Sequence, residues 1–189
     1  MATKYTFAQF KAQYPDDDAC LQAIFNRRHS ERPACTGCGV SPAKFHKITG
    51  RRAYACQDCG YHDYPCAGTI FEHSSTSLML WFHAMYLMTA TRNGVSAKEL
   101  QRQLGVTYKC AWRIGHQLRE LMAARAKAQN PGPLTGHVEA DETFVGGRVK
   151  GAKLRPQYMV NKTIVFGVVQ RGGTLRGQVV PDQSRASLV

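Results

Sequence analysis

Apolar residues recur along this chain with two different periods, and the change between them divides it. After the run Asp16-Asp17-Asp18, residues Cys20, Leu21, Ile24 and Phe25 fall at helical spacing, with acids where a helix start is electropositive. Residues 1–25 are therefore expected to form a helical prelude. Between 26 and 67 the spacing dissolves into Cys, Gly, Arg and Pro, and only residues 45–48 and 52–55 look β-like, a pattern of small hairpins. Residues 74–130 return to the helical period. The segment 77–90 is apolar almost all round, as in a helix buried on every side. Ser96-Ala97-Lys98-Glu99 has the residues of a capping box. Leu100 and Leu104 supply the apolar face of that helix, Gly105 ends it, and Thr107 caps a longer helix reaching to about Lys127.

In that longer helix Ala111, Ile114, Leu118 and Leu121 share one stripe, so Lys109, Arg113 and His116 must face the other way, flanked by Tyr108 and Trp112. Two helices joined by a short Gly turn make a helix-turn-helix, and Thr107, Tyr108, Lys109, Arg113 and His116 are its candidate DNA contacts. Trp112 is expected to pack rather than to stack on a base. A helical pair with a basic outer face also occurs in proteins that never touch DNA. The helical region stops at Asn130-Pro131-Gly132-Pro133, which cannot continue a helix. Residues 134–189 then hold three β-branched runs, Val138–Val145, Thr163–Gln170 and Leu175–Val180, the last two joined as a hairpin through Arg171-Gly172-Gly173-Thr174.

Charge narrows the choice of partner. Over 189 residues, 25 basic side chains face 13 acidic ones, a net of +12, which favours a polyanion such as nucleic acid or an anionic membrane surface. The composition, 43% hydrophobic, argues against a disordered or collagen-like chain. The longest apolar stretch, residues 78–88, falls short of the roughly 20 residues a bilayer requires. The start Met1-Ala2-Thr3-Lys4-Tyr5 carries no secretory signal, so the expectation is a cytoplasmic chain without a membrane partner. Residues 67–130 hold eight basic and three acidic groups, making the helical block the strongest candidate for a phosphate-facing surface.

Two motifs carry chemistry. Cys35-Thr36-Gly37-Cys38 and Cys56-Gln57-Asp58-Cys59 are CxxC knuckles 17 residues apart, within the spacing of a four-cysteine site for one structural zinc ion. A redox pair and a chance arrangement are the alternatives. Gly39 and Gly60 permit the tight turns that aim amides at sulfur. Cys20, Cys66 and Cys110 lie outside the knuckles and read as small buried hydrophobes, and His46 and His62 are left out because four thiolates complete a tetrahedron. Arg27, Arg28, Arg32, Lys44, Lys47, Arg51 and Arg52 surround the ribbon, either as phosphate contacts or as a solvated basic face. The second motif is Val138-Glu139-Ala140-Asp141-Glu142-Thr143-Phe144-Val145-Gly146-Gly147. A carboxylate in a buried strand is costly unless it is paired or holds a metal, which marks Asp141; the competing reading is an exposed edge strand with solvated acids. Alternation puts Glu139 and Asp141 on one face and Glu142 on the other, so this strand alone cannot build a two-metal site.

Taken together, the double CxxC, the helical segment, the Asp141-Glu142-Thr143-Phe144-Val145-Gly146-Gly147 string and the hairpin ending Val179-Val180-Pro181-Asp182-Gln183-Ser184 resemble bacterial insertion-sequence transposases of the ISXO-like type, from about Asp16 onward. The resemblance implies a multi-domain α+β chain: a zinc ribbon, a helix-turn-helix bundle and an incomplete ribonuclease-H-like β-sheet. It implies Asp141 as the first carboxylate of a catalytic set that holds magnesium or manganese in an intact domain. The activity it implies is strand cleavage and transfer on double-stranded DNA at transposon ends. Members of the family continue through a helix, a further strand with a second Asp and a later catalytic polar residue. Here Ser184 resembles the cap of that helix and Val189 follows five residues later, so the expectation is a C-terminally truncated transposase with an incomplete acidic set. Open sheet edges make self-association a further expectation. Asp182 after Pro181 reads as a turn residue. The rivals are a non-catalytic zinc-ribbon and helix-turn-helix DNA-binding regulator, and a nuclease that completes its acids from a second copy.

Overall fold

The computed structural model describes residues 5–91, 93–129, 132–147, 162–173, 175–184 and 187. Asn130 and Pro131 of the linker and Thr174 of the hairpin lie outside them. The chain forms two compact units that divide after Arg125.

In the first unit, α1 (Phe7–Gln13) is opened by a capping box between Thr6 and Gln9, and α2 (Asp17–Glu31) by the Asp16 carboxylate, which accepts the Ala19 amide at 2.8 Å. The prelude is thus two helices, and α2 continues past residue 25 into the stretch assigned to the ribbon. Three short antiparallel strands follow in the order β1 (Phe45–Lys47), β2 (Tyr54–Cys56), β3 (His62–Asp63), with Phe45 opposite Cys56 and Tyr54 opposite Asp63. Such a sheet is too small to bury a core of its own, and α2 supplies one. Phe25 stacks on Tyr54 with ring centres 3.9 Å apart, and His29 lies against Phe25 and Phe45 at 4.2 and 4.5 Å while facing Asp63 at 3.4 Å.

Helices α3 (Leu78–Ala90), α4 (Ala97–Leu104) and α5 (Tyr108–Gln129) complete the unit. Leu21 of α2, Leu78, Trp81 and Ala84 of α3, Leu100 of α4 and Ile114 of α5 meet in one core with the ribbon's Tyr54. Ser96 accepts the Glu99 amide at 3.1 Å, but the Glu99 carboxylate turns to Arg102 and Gln103, so half of the expected capping box forms. Gly105 ends α4 in the left-handed conformation at φ 65°, and the Thr107 hydroxyl caps α5 at the Cys110 amide, 3.3 Å. The α4–α5 crossing is close at Gly115, where a Cβ would stand 3.1 Å from Leu100 Cδ1.

Ala111, Ile114 and Leu118 are buried as the stripe requires, but Leu121 is 48% exposed, a correction to the expected face. Every described side chain of α5 from Arg119 onward is exposed, because the helix outruns the elements that cover its first turns.

The second unit is an antiparallel sheet ordered β4 (Val138–Val145), β5 (Thr163–Gln170), β6 (Leu175–Val180), with the strand limits that the β-branched runs predict. Its register sets Asp141 opposite Gly167, and Gly167 opposite Gly177. No helix among the described residues is long and apolar enough to cross a membrane.

Candidate metal centre and nucleic-acid interface

The two knuckles repeat one backbone design. The Cys35 amide donates to the Val40 carbonyl at 2.9 Å and the Gly39 amide to the Cys35 carbonyl at 2.8 Å. In the second knuckle the Cys56 amide donates to Tyr61 at 2.9 Å and the Gly60 amide to Cys56 at 3.0 Å. Each loop closes only through a left-handed residue, Gly39 at φ 75° and Gly60 at φ 72°. The knuckles interlock where Gly37 lies beneath Tyr61, so close that a Cβ would stand 2.7 Å from the Tyr61 Cβ.

The four sulfurs of Cys35, Cys38, Cys56 and Cys59 lie within 4.8 Å of one another, the one cysteine, histidine and acid cluster of this kind among the described residues. Cys35 and Cys59 are 3.7 Å apart and Cys38 and Cys56 4.0 Å, far beyond a disulfide bond. A tetrahedron of sulfurs at the usual zinc–sulfur distance has edges of about 3.8 Å, so the set fits a zinc ion. Its electrostatics need a cation. Desolvation opposes ionisation of Cys35, but the Cys38 and Gly37 amides and neighbouring thiols outweigh it and bring that thiol down to about 7. Cys59 accepts the Tyr61 amide, yet desolvation and the three other sulfurs push it up to about 12. The first thiolate forms readily, and a full set needs positive charge at its centre. His46 and His62 are exposed and outside the cluster, as expected. Cys20 and Cys66 are buried, and burial pushes the Cys20 thiol up to about 11.

The basic residues around the ribbon do two jobs. Arg28 donates to the carbonyls of Tyr64, Pro65 and Ala67, Arg52 to those of Ser74 and Thr76, Arg27 pairs with Glu31 and Lys47 with Asp18. Arg28, Arg52 and Lys47 thereby join separate parts of the fold, whereas the Arg27–Glu31 pair is exposed on α2. Arg32, Lys44 and Arg51 are exposed as well and leave a basic face open to solvent or to phosphate.

On α5, Thr107, Tyr108, Lys109, Arg113 and His116 are all exposed, opposite the buried stripe. Lys98 of α4, a neighbour that no local pattern singles out, holds its Nζ 4.9 Å from the Tyr108 ring centre. The Arg113 guanidinium reaches 5.9 Å over the ring of buried Trp81, and His116 pairs with Glu120 at 3.3 Å. Trp112, expected to pack rather than to stack on a base, is 52% exposed and lies against the His116 ring; position 112 lies off the stripe that Ala111, Ile114 and Leu118 bury.

The β4 acids stand apart from one another. Asp141 is exposed, so of the two readings of this strand the exposed edge is the one the fold shows: β4 is a sheet edge with only Phe144 partly covered. The Asp141 carboxylate accepts the Glu142 amide at 2.9 Å. Arg171 holds Glu139, with its Nε at 3.2 Å, and Gln183 donates to Glu142 at 3.0 Å. Asp182 makes a turn by accepting the Ser184 amide at 2.8 Å, and the hydroxyls of Ser184 and Ser187 help hold it below the ordinary carboxylate range.

Residues 15–62 match the family described as transposase zinc-ribbon domain, and residues 133–189 match that described as ISXO2-like transposase domain. A protein of the transposable element ISH50 from Halobacterium salinarum, described as uncharacterized, is 31% identical over 163 residues, covering 79% of this chain. The match takes in 52% of that relative, so the chain corresponds to about half of its length. No solved structure matches. The order of the two domains and the relative from an insertion sequence define the class: the chain belongs to the insertion-sequence transposases of the ISXO2-like type.

Proposed function

We propose that this chain binds double-stranded DNA at the ends of an insertion sequence, with the start of α5 as the recognition helix of a helix-turn-helix formed by α4 and α5. One observation carries the reading: the side chains of Tyr108, Lys109, Arg113 and His116 are exposed along α5, away from a stripe locked into the core, with Thr107 capping the helix start. The helix is thereby fixed in orientation while its outer face stays open. Lys109 has no ion-pair partner among the described residues and is free to neutralise a phosphate. The ribbon, braced by zinc, holds α2 and α3 beneath this pair.

The reaction proposed for the family is metal-dependent strand cleavage and transfer, with Asp141 as the first ligand in a ribonuclease-H-like domain. Magnesium or manganese, when bound, would stabilise charge on the scissile phosphate and on the attacking and leaving oxygens. Asp141 offers an exposed carboxylate for that purpose, whereas Glu139 and Glu142 are engaged by Arg171 and Gln183. Further carboxylates must come from elsewhere for a complete site, so the residues described here grip DNA rather than cut it. Those engaged acids also favour the second reading, a DNA-binding regulator without catalysis.

Fluorescence anisotropy on a duplex carrying the element's terminal sequence tests binding, and a magnesium-dependent nicking assay with Asp141→Asn tests cleavage. Nicking abolished by that substitution supports a nuclease that completes its acids from a second copy. Tight binding with no nicking fits the transposase with an incomplete acidic set and the regulator alike, and no preference for the terminal duplex rejects DNA-end recognition in both.

A further inference from the structure

Tyr108, Trp112 and His116 follow one another at four-residue steps and form an exposed ridge along the start of α5. The rings of Trp112 and His116 lie nearly parallel, 13° apart with centres at 4.9 Å, and Glu120 holds His116 from the next turn. Lys98 covers Tyr108 at the other end. The indole is thus held between turns of its own helix, while half of its surface faces solvent. A large, rigid aromatic side chain in the middle of an exposed face is the feature that anchors interfaces. Its surroundings select the partner: Lys98 lies against Tyr108, Lys109 and Arg113 adjoin the ridge along α5, and Glu120 is already paired with His116. A polyanion fits that rim.

We propose that Trp112 is a specificity-determining residue that packs against the C5-methyl group of a thymine in the major groove; this rests on α5 being the recognition helix. Base faces are stacked inside a duplex and unavailable to an indole. The thymine methyl is the one apolar group that base pairs display in the major groove, and it is absent from A, G and C edges. The His116 ring stacked on it keeps the indole upright, and Lys109 and Arg113 position it by their phosphate or base-edge contacts.

The test is in-vitro selection from a random duplex pool, using the full zinc-loaded chain as wild type, Trp112→Ala and Lys109→Ala. Wild type is expected to enrich sequences with a fixed A·T pair that Trp112→Ala no longer selects. Exchanging that thymine for deoxyuracil, which removes only the methyl, should weaken wild-type binding roughly fourfold and leave Trp112→Ala unaffected. Unchanged zinc content and helicity establish that Trp112→Ala folds. If Trp112→Ala selects the same sequences, or deoxyuracil has no effect, the proposal is overturned while DNA recognition by α5 stands. If wild type enriches nothing, and Lys109→Ala binds duplex as well as wild type does, the recognition helix itself is wrongly assigned and the inference falls with it.

Discussion

The Asp17 carboxylate, in the first turn of α2, accepts the backbone amide of Met79, in the first turn of α3, at 2.9 Å and across 62 residues of sequence. Ser77 makes no side-chain cap for α3, and its hydroxyl donates to Asp17 instead. Arg52, just before β2, meets the same carboxylate at 3.3 Å while donating to the Ser74 and Thr76 carbonyls at 3.0 and 3.1 Å. One acid therefore ties the ribbon to two helices of the core on which α4 and α5 rest.

Replacing that acid should loosen all three. Asp17→Ala is expected to lower stability by about 1 to 2 kcal/mol, the range for losing a helix cap, as read by denaturant unfolding. Burial pushes the Asp17 pKa up, but the Ser77 hydroxyl, the Met79 and Leu78 amides and Arg52 outweigh it and hold it below the ordinary 3.8. A lowered folded pKa gives stability that is complete above the ordinary value and is lost as pH falls through the folded one. Wild type and Asp17→Asn should therefore differ at pH 7, begin to converge as pH falls below about 3.8 and meet only below the lower folded value.

The zinc knuckles contain two glycines that are required for different reasons. Gly37→Ala drives a methyl into Tyr61, 2.7 Å away, and should speed zinc loss to a competing chelator by prying the knuckles apart. Gly39→Ala meets no atom within 4 Å and suffers only from its φ of 75°, a strain of about 1 kcal/mol. Chelator competition should rank Gly37→Ala as the more damaging.

Arg28 and Lys109 separate structural from ligand-facing charge. Lys109→Ala should weaken binding to every duplex and reduce the slope of log affinity against log salt by about one. Arg28→Ala should leave that slope alone and lower the melting temperature, since its guanidinium serves the carbonyls of Tyr64, Pro65 and Ala67.

Asp141→Asn should leave duplex affinity unchanged. The residue is exposed on β4, and its carboxylate serves only the adjacent Glu142 amide in the described fold. A loss of both DNA affinity and stability on titration would show that the acid holds the sheet together.

Much of this was legible in the sequence wherever one local cause acted alone. The β-branched runs set the limits of β4, β5 and β6, and the CxxC spacing marked the four sulfurs that the fold brings together. Gly105 and Thr107 marked the α4–α5 turn because a left-handed stop and a hydroxyl cap have few substitutes. Thr6 and Gln9, which form the box that opens α1, also stand in the sequence, but the acidic run at Asp16 is the stronger helix start beside them. Strand β3 is two residues long and has no periodicity to read. The exposure of Leu121 and Asp141 depends on where covering elements stop, which periodicity does not encode. The bond from Asp17 to Met79 is likewise a product of the tertiary fold.

The measurement that bears most directly on the central claim is the metal content of the purified chain, followed by its unfolding in a strong chelator. Four thiolates on one ion should yield one zinc per chain, with an apparent binding energy of roughly 10 to 16 kcal/mol. Its removal should release the Phe25–Tyr54 packing and abolish duplex binding together. A chain that contains no stoichiometric zinc, yet keeps its fold and its affinity for DNA in chelator, would contradict the account.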